Sequence, residues 1–127
     1  MSQYNDTGCK AFECDAAIAQ YARVKLDSDG KITVAGIADK EIGTATRETF
    51  AAGEVVDVRL RSAGGTHKMI AIEAVAAGAT LYSEADGKVQ DTAAATAFQV
   101  GTALEAATAD GDVIEVLYNA HGDTAAT

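Results

Sequence analysis

Three short blocks recur in the same order at a nearly constant spacing, and this restricts what the chain can fold into. Asp29-Gly30-Lys31 returns 57 residues on (30 to 87) as Asp86-Gly87-Lys88. Ile42-Gly43-Thr44-Ala45 returns 58 on (43 to 101) as Val100-Gly101-Thr102-Ala103. Ala51-Ala52-Gly53-Glu54-Val55-Val56-Asp57-Val58 returns, again 58 on (53 to 111), as Ala109-Asp110-Gly111-Asp112-Val113-Ile114-Glu115-Val116. Two copies are too few for a solenoid. They suit one compact domain made of two similar β-units, each too small to bury a core alone. The spacing places the repeat at 21–62 and 78–120, within a single β-domain at 21–127.

The local pattern inside each copy is that of strands. Ala22, Val24 and Leu26 alternate with Arg23 and Lys25, and Asp27-Ser28-Asp29-Gly30 supplies a turn before Ile32 and Val34. Val56, Val58 and Leu60 alternate with Asp57, Arg59 and Arg61, and their counterparts Ile114, Val116 and Tyr118 keep the same facing. Gly43, inside a short strand pattern, points to a bulge or a close backbone approach. An Ala-Xaa-Gly element precedes Glu54, Ala79 and Asp112, where a left-handed glycine would close a tight turn into a strand. Ile70 and Ile72 suggest a strand bridging the two copies, after a loop at Ser62-Ala63-Gly64-Gly65-Thr66. Residues 91–97 read as a surface loop or edge segment, and 104–109 as a stretch able to form one helical turn. The expectation is an all-β fold of about eight strands, a small antiparallel β-sandwich or partly closed barrel sharing one interior.

Residues 1–20 fall outside the repeat and read as an extended N-terminal arm or a disordered tail. Tyr4, Phe12 and Ile18, with Tyr21 at the junction, favour an arm that buries something.

Composition narrows the function classes. At 127 residues one domain is the natural count, with no need of disulfides or metals to hold a core. Proline and tryptophan are absent and aromatics are few, so Val, Ile, Leu and Ala must fill the interior. Such a domain leans toward an oligomer interface for stability. The net charge of −9 is lopsided: residues 1–68 hold 10 acids and 9 bases, residues 69–127 hold 9 acids and one base, Lys88. That surface repels phosphate backbones, so no nucleic-acid partner is expected. No apolar run approaches the ~20 residues of a membrane span. The first twenty residues lack a secretory apolar region, which suggests a protein made and used without export. Cys9 and Cys14 have no nearby histidine to complete a zinc site and are expected as reduced thiols.

No catalytic constellation emerges. His67 lies in or beside a glycine loop and His121 in the tail, and neither neighbours a nucleophile motif. Asp27-Ser28-Asp29-Gly30 resembles the start of a calcium loop, but Asp39 stands where the bidentate Glu should be, so a hairpin turn is the better reading. The expectation is a non-enzyme with no catalytic residue, cofactor or metal.

The order of the blocks resembles a family of small tailed-phage head proteins. Strand, Asp-Gly-Lys turn, Ile-Gly-Thr-Ala, Ala-Gly-Glu-Val-Val-Asp-Val, Lys68-Met69-Ile70-Ala71, Glu73 to Ala79, Asp-Gly-Lys again, Val100 to Glu105 and Gly111 to Ile114 follow one another as in capsid decoration, or head-cementing, proteins. The resemblance covers roughly residues 20–118. It implies a β-domain on the capsid exterior of a virion, made in the host cytoplasm, that bridges major capsid protein subunits and clusters as a homotrimer. It also implies an N-terminal arm reaching onto the major capsid protein, the role in which Tyr4, Phe12, Ile18 and Tyr21 are the candidates. Other readings are a tail or head-completion component, or a carbohydrate-binding β-module using Tyr82 or Tyr118.

Overall fold

A computed structural model describes residues 8–118 and shows an all-β chain of ten strands. The first five are β1 (Cys9–Glu13), β2 (Arg23–Leu26), β3 (Ile32–Val34), β4 (Gly43–Ala45) and β5 (Val55–Leu60). The second five are β6 (His67–Ile70), β7 (Thr80–Ser83), β8 (Val89–Gln90), β9 (Gln99–Ala103) and β10 (Val113–Tyr118), with one 3-10 turn at Ala85–Gly87 between β7 and β8. Each set makes its own five-stranded antiparallel sheet, in the orders β1-β5-β4-β2-β3 and β6-β10-β9-β7-β8. Counted from its own first strand, each sheet has the same order. The registers agree as well: Leu60 faces Gly43, Arg59 faces Thr44 and Val58 faces Ala45, while Tyr118 faces Gly101, Leu117 faces Thr102 and Val116 faces Ala103.

Each sheet curls until its edges meet. Just past β1, Cys14 forms a parallel bridge to Ile32 of β3, the opposite edge strand. Just past β6, Ala71 does the same with Val89 of β8. Closure explains why the apolar residues do not share one interior, as the sequence pattern suggested. They form two clusters, one inside each curled sheet. The first holds Cys14, Ile18, Ala22, Val24, Ile32, Ala45, Val56 and Val58. The second holds Met69, Leu81, Val89, Val100, Ile114 and Val116 with Ala71, Ala103 and Ala107. Alanine and valine fit a narrow, self-closed sheet where larger side chains would force it open. Only Ile70, on β6, crosses over to pack with the first cluster. Val56, Val58, Ile114 and Val116 are at most 1% exposed, each contributing on the order of 1.5–3 kcal/mol by burial.

The reading of residues 1–20 as a free arm is corrected for its described part. β1 pairs β5 along its length, from Cys9 opposite Arg59 to Glu13 opposite Val55. Ile18 bridges Thr49 and is buried. The alternation in Cys9–Glu13 is weak because Lys10 occupies an inward position, where its ammonium lies over the Phe12 ring. The expected helical turn at 104–109 is also corrected: Ala107 bridges Val75 in an extended segment, which Val75 and Ala107 bury at the sheet's end.

Two glycines are fixed by crowding. A Cβ on Gly43 would lie 2.1 Å from the Arg59 carbonyl oxygen, and one on Gly101 would lie 2.2 Å from that of Leu117. These are the close approaches that let β4 and β9 cross tightly over their neighbours. Replacing either by alanine should cost about 1–3 kcal/mol in urea unfolding. Gly64→Ala, where an added Cβ meets nothing within 4 Å, should stay within about 0.5 kcal/mol of the parent. Equal costs at all three positions would reject the crowding account.

Candidate interaction surfaces

The two curled sheets are joined by a buried polar seam. Arg23 opens β2 between the inward-facing Ala22 and Val24, so its own side chain leaves the first barrel on the opposite side. There the second sheet covers it completely. Its Nε donates to the Lys88 carbonyl at 3.0 Å, and Nη2 donates to the carbonyls of Glu84 at 2.6 Å and Gly36 at 3.3 Å. Nη1 faces Glu41 Oε1 at 3.8 Å, with both side chains fully buried. Burial pulls the Arg23 pKa down, and the Glu41 charge opposes that pull most strongly.

The β7–β8 turn fits against this arginine. Gly87 N–H donates to the Ala35 carbonyl at 2.9 Å, and Ser83 Oγ donates to the Ile37 carbonyl at 2.6 Å. A Cβ on Gly87 would come within 2.9 Å of the Ala22 Cβ. At the end of β10, burial and then the Glu41 charge hold the Tyr118 phenol well above its usual range. The Tyr118 ring meets His67 edge-on, centroids 4.5 Å apart and planes at 89°.

His67 is a buried strand residue, the first of β6, beside the glycine loop. Its Nε2 lies 3.0 Å from the Leu60 carbonyl, so that nitrogen carries the proton in the neutral ring. Burial first, and the Arg59 charge in addition, lower its pKa despite the carbonyl.

On the far side of the seam the sheets diverge to leave a cleft of about 640 Å³. Tyr21, Thr44, Thr46 and Arg59 line one wall; Thr66, Lys68, Glu105 and Glu115 line the other. The walls are cross-braced by Arg59 Nε, which donates to the Thr66 carbonyl, and by Lys68 Nζ, 5.5 Å from the Tyr21 ring centroid; within the second wall Thr66 Oγ1 donates to Glu115 Oε2 at 2.6 Å. Tyr21 sits at φ 67°, whereas the corresponding position in the second unit is Gly78 at φ 86°. A left-handed tyrosine costs roughly 1–2 kcal/mol. The ring's packing on the first cluster and its contact with Lys68 offset that strain.

The four arm candidates are separated by the fold. Tyr4 lies outside the described residues, as does His121. Phe12 is half-buried on the inner face of β1, Ile18 is in the first core, and Tyr21 lines the cleft. Ile18 is thus spent on the protein's own interior. The pattern missed Phe50 and Val55, which are 74% and 55% exposed near the Glu13 end of β1. A large apolar residue in a polar loop was the available signal. The Asp27–Lys31 segment is a turn, closed by Asp27 N–H to the Lys31 carbonyl at 2.7 Å, and it brings Asp27 and Asp29 near Asp15. Neither cysteine is in a disulfide; Cys14 is buried, with its Sγ 3.4 Å from the Ala51 carbonyl. Among the described residues no helix is long and apolar enough to cross a membrane.

Two outcomes follow from the seam. Arg23→Met removes the charge opposite Glu41 and takes a donor from three carbonyls, of which those of Lys88 and Gly36 keep the backbone N–H groups of Glu84 and Asp39. It should cost about 3–5 kcal/mol in urea unfolding, with part of the loss recovered on adding Glu41→Gln. A cost below about 1 kcal/mol would show that the seam does not hold the sheets together. For His67, the unfolded ring titrates at about 6.5 and the folded ring below that. As pH falls through 6.5 the unfolded state takes up a proton that the folded state refuses, so stability should decline there. Thermal unfolding from pH 7.5 to 5 should show this decline, and His67→Gln should flatten it.

Comparison with known protein families matches residues 49–118 to a family described as phage cement protein. The match runs from the loop before β5 through the whole second sheet. No curated protein matches the chain.

Proposed function

The chain belongs to the phage cement protein family, a structural component of the capsid, and on that premise we propose that it binds the outside of the shell and bridges neighbouring major capsid protein subunits. The observation that supports a contact role most directly is the surface around β1. Phe50 and Val55 stand exposed near its Glu13 end, where the Cys14–Ile32 bridge closes the sheet, while among the described residues the outer backbone of β1 ahead of that bridge has no strand paired to it. An edge strand can accept another chain by β-augmentation, and nearby apolar side chains add a fixed anchor. In this reading Phe50 and Val55 take the anchoring role that Ile18 cannot. Tyr4 remains the contact within an arm shortened to the residues before β1, while Phe12 on β1 and Tyr21 at the cleft are the candidates on the body beside it. The body from β1 onward acts as one unit, and copies cluster as a homotrimer on the shell. Many equivalent copies then make modest individual contacts strong together.

A direct test adds the purified protein to undecorated shells. Saturable binding with a raised shell-disruption temperature is expected; absence of binding would reject the proposal. Phe50→Asp should weaken shell affinity by about tenfold or more without lowering the protein's own melting temperature. Deleting residues 1–7 tests the arm in the same assay. A deletion of 1–20 would not test it, because that removes β1 and Ile18 from the first barrel.

A further inference from the structure

The cleft beyond the seam is lined by groups with hydrogen-bonding capacity to spare. Its volume of about 640 Å³ lies within the roughly 300–1,000 Å³ range of small-ligand sites. Thr46 Oγ1 donates to the Asp57 carbonyl at 2.8 Å, and Thr66 Oγ1 donates to Glu115 Oε2 at 2.6 Å, so both hydroxyls keep lone pairs for a further donor. Glu105 Oε1 accepts the Glu115 N–H at 2.7 Å, which holds that carboxylate in place and leaves its other oxygen for a ligand. Among the described residues Lys68 Nζ has no carboxylate partner and rests over the Tyr21 ring. At an exposed position such a contact is weak enough for a ligand to displace.

The repeat shows that the strands themselves do not dictate these side chains. The second-unit counterparts of Tyr21, Thr46 and Arg59 lie outside the cleft, and they are Gly78, Leu104 and Leu117 (21 to 78, 46 to 104, 59 to 117). Tyr21 and Gly78 are built alike. The Tyr21 N–H donates to the Ala45 carbonyl, the Gly78 N–H donates to that of Ala103, and both residues have positive φ. Only at the cleft does this position carry a ring, on a backbone that favours glycine. A non-glycine outlier kept at the wall of a cleft points to use of its side chain.

The lining charges select the ligand. Arg59 and Lys68 are balanced by Glu105 and Glu115, and the signs interleave. Lys68 stands directly opposite Glu115 across β6 and β10, and Arg59 holds the carbonyl of Thr66, whose hydroxyl holds Glu115. The lining therefore offers no separate pole for an anion or a cation, and a phosphate would meet two carboxylates. A peptide main chain finds little ladder to join, since β4, β5 and β10 are each paired on both sides. What fits is a neutral molecule dense in hydroxyls. Each hydroxyl can donate to a carboxylate and accept from Lys68 or Arg59, while a C–H face lies against the aromatic ring. We propose that the cleft binds a neutral carbohydrate, with one pyranose unit of an oligosaccharide seated on Tyr21 in place of the Lys68 ammonium. The proposal goes beyond cementing and does not rest on it.

The test titrates the isotope-labelled full chain with neutral trisaccharides of glucose, galactose, mannose and N-acetylglucosamine and follows the backbone amide shifts by NMR. At least one sugar should give saturable shifts centred on Tyr21, Thr46, Thr66 and Lys68. Shifts centred elsewhere would overturn the proposal. So would the absence of a saturable shift with every sugar up to about 10 mM, where even a millimolar Kd would show. Tyr21→Gly, which installs the counterpart residue, should weaken binding about tenfold or more. Glu105→Ala and Glu115→Ala, both at exposed positions, should each weaken it about threefold or more. Binding unchanged by Tyr21→Gly, or by both glutamate variants, would reject the cleft as the site. Unchanged melting temperatures establish that the variants are folded; should Tyr21→Gly melt lower, Tyr21→Asn, which also tolerates a left-handed backbone, replaces it. Trimers of glucosamine and of galacturonate supply charged analogues, which should bind more weakly, and tighter binding of either would overturn the assignment to a neutral ligand. Shells take no part in these measurements. A chain that binds sugar but ignores shells keeps this proposal and rejects cementing, and one that binds shells but no sugar does the reverse.

Discussion

Arg23 is the contact on which the arrangement of the two sheets depends. Each curled sheet satisfies most of its own backbone and encloses its own apolar face, so hydrophobic burial alone gives the sheets little reason to adopt a fixed relation. Ile70 is the one apolar side chain of the second sheet that packs with the first cluster. The arginine supplies what the cores do not. Its fork of donors takes carbonyls from both sheets, and a buried Glu41 balances its charge. A buried ion pair of this kind is a weak source of net stability but a strict one of geometry, because any other docking would leave charge uncompensated.

Much of the fold was legible because its signals are local. The period-two alternation of Val56, Val58, Ile114 and Val116 marks the central strands β5 and β10, and all four are buried. Gly43 announced a close approach, and the glycines before Glu54, Ala79 and Asp112 all have positive φ. β1 was hidden because Lys10 interrupts its inward face and Phe12 alone marks it, although Phe12 and Cys14 stand 57 residues before Met69 and Ala71 (12 to 69). That spacing was the overlooked clue.

The interaction surfaces were much less legible, for a different physical reason. Arg23 in the sequence reads as the solvent side of a half-buried strand, and Glu41 as one acid among many. Both are buried only because a second sheet arrives on the outer face. Outer-face burial is a property of docking and leaves no periodic trace. His67 opens β6 directly after the glycine loop, and its burial shows only once β6 pairs with β10, where it stands opposite the inward-facing Val116. Exposed apolar residues such as Phe50 were visible as letters but not as exposed.

The acceptors that Arg23 uses are main-chain oxygens of Gly36, Glu84 and Lys88. The joint therefore recognises the path of the backbone and is blind to the identity of the side chains at 84 and 88, which point elsewhere: Lys88 toward Asp110, and Glu84 onto the amide of Ala85. The side chains at 84 and 88 are then free to vary while the joint between the barrels keeps its shape, and only Gly87 between them is held to its identity by the Ala22 side chain it meets.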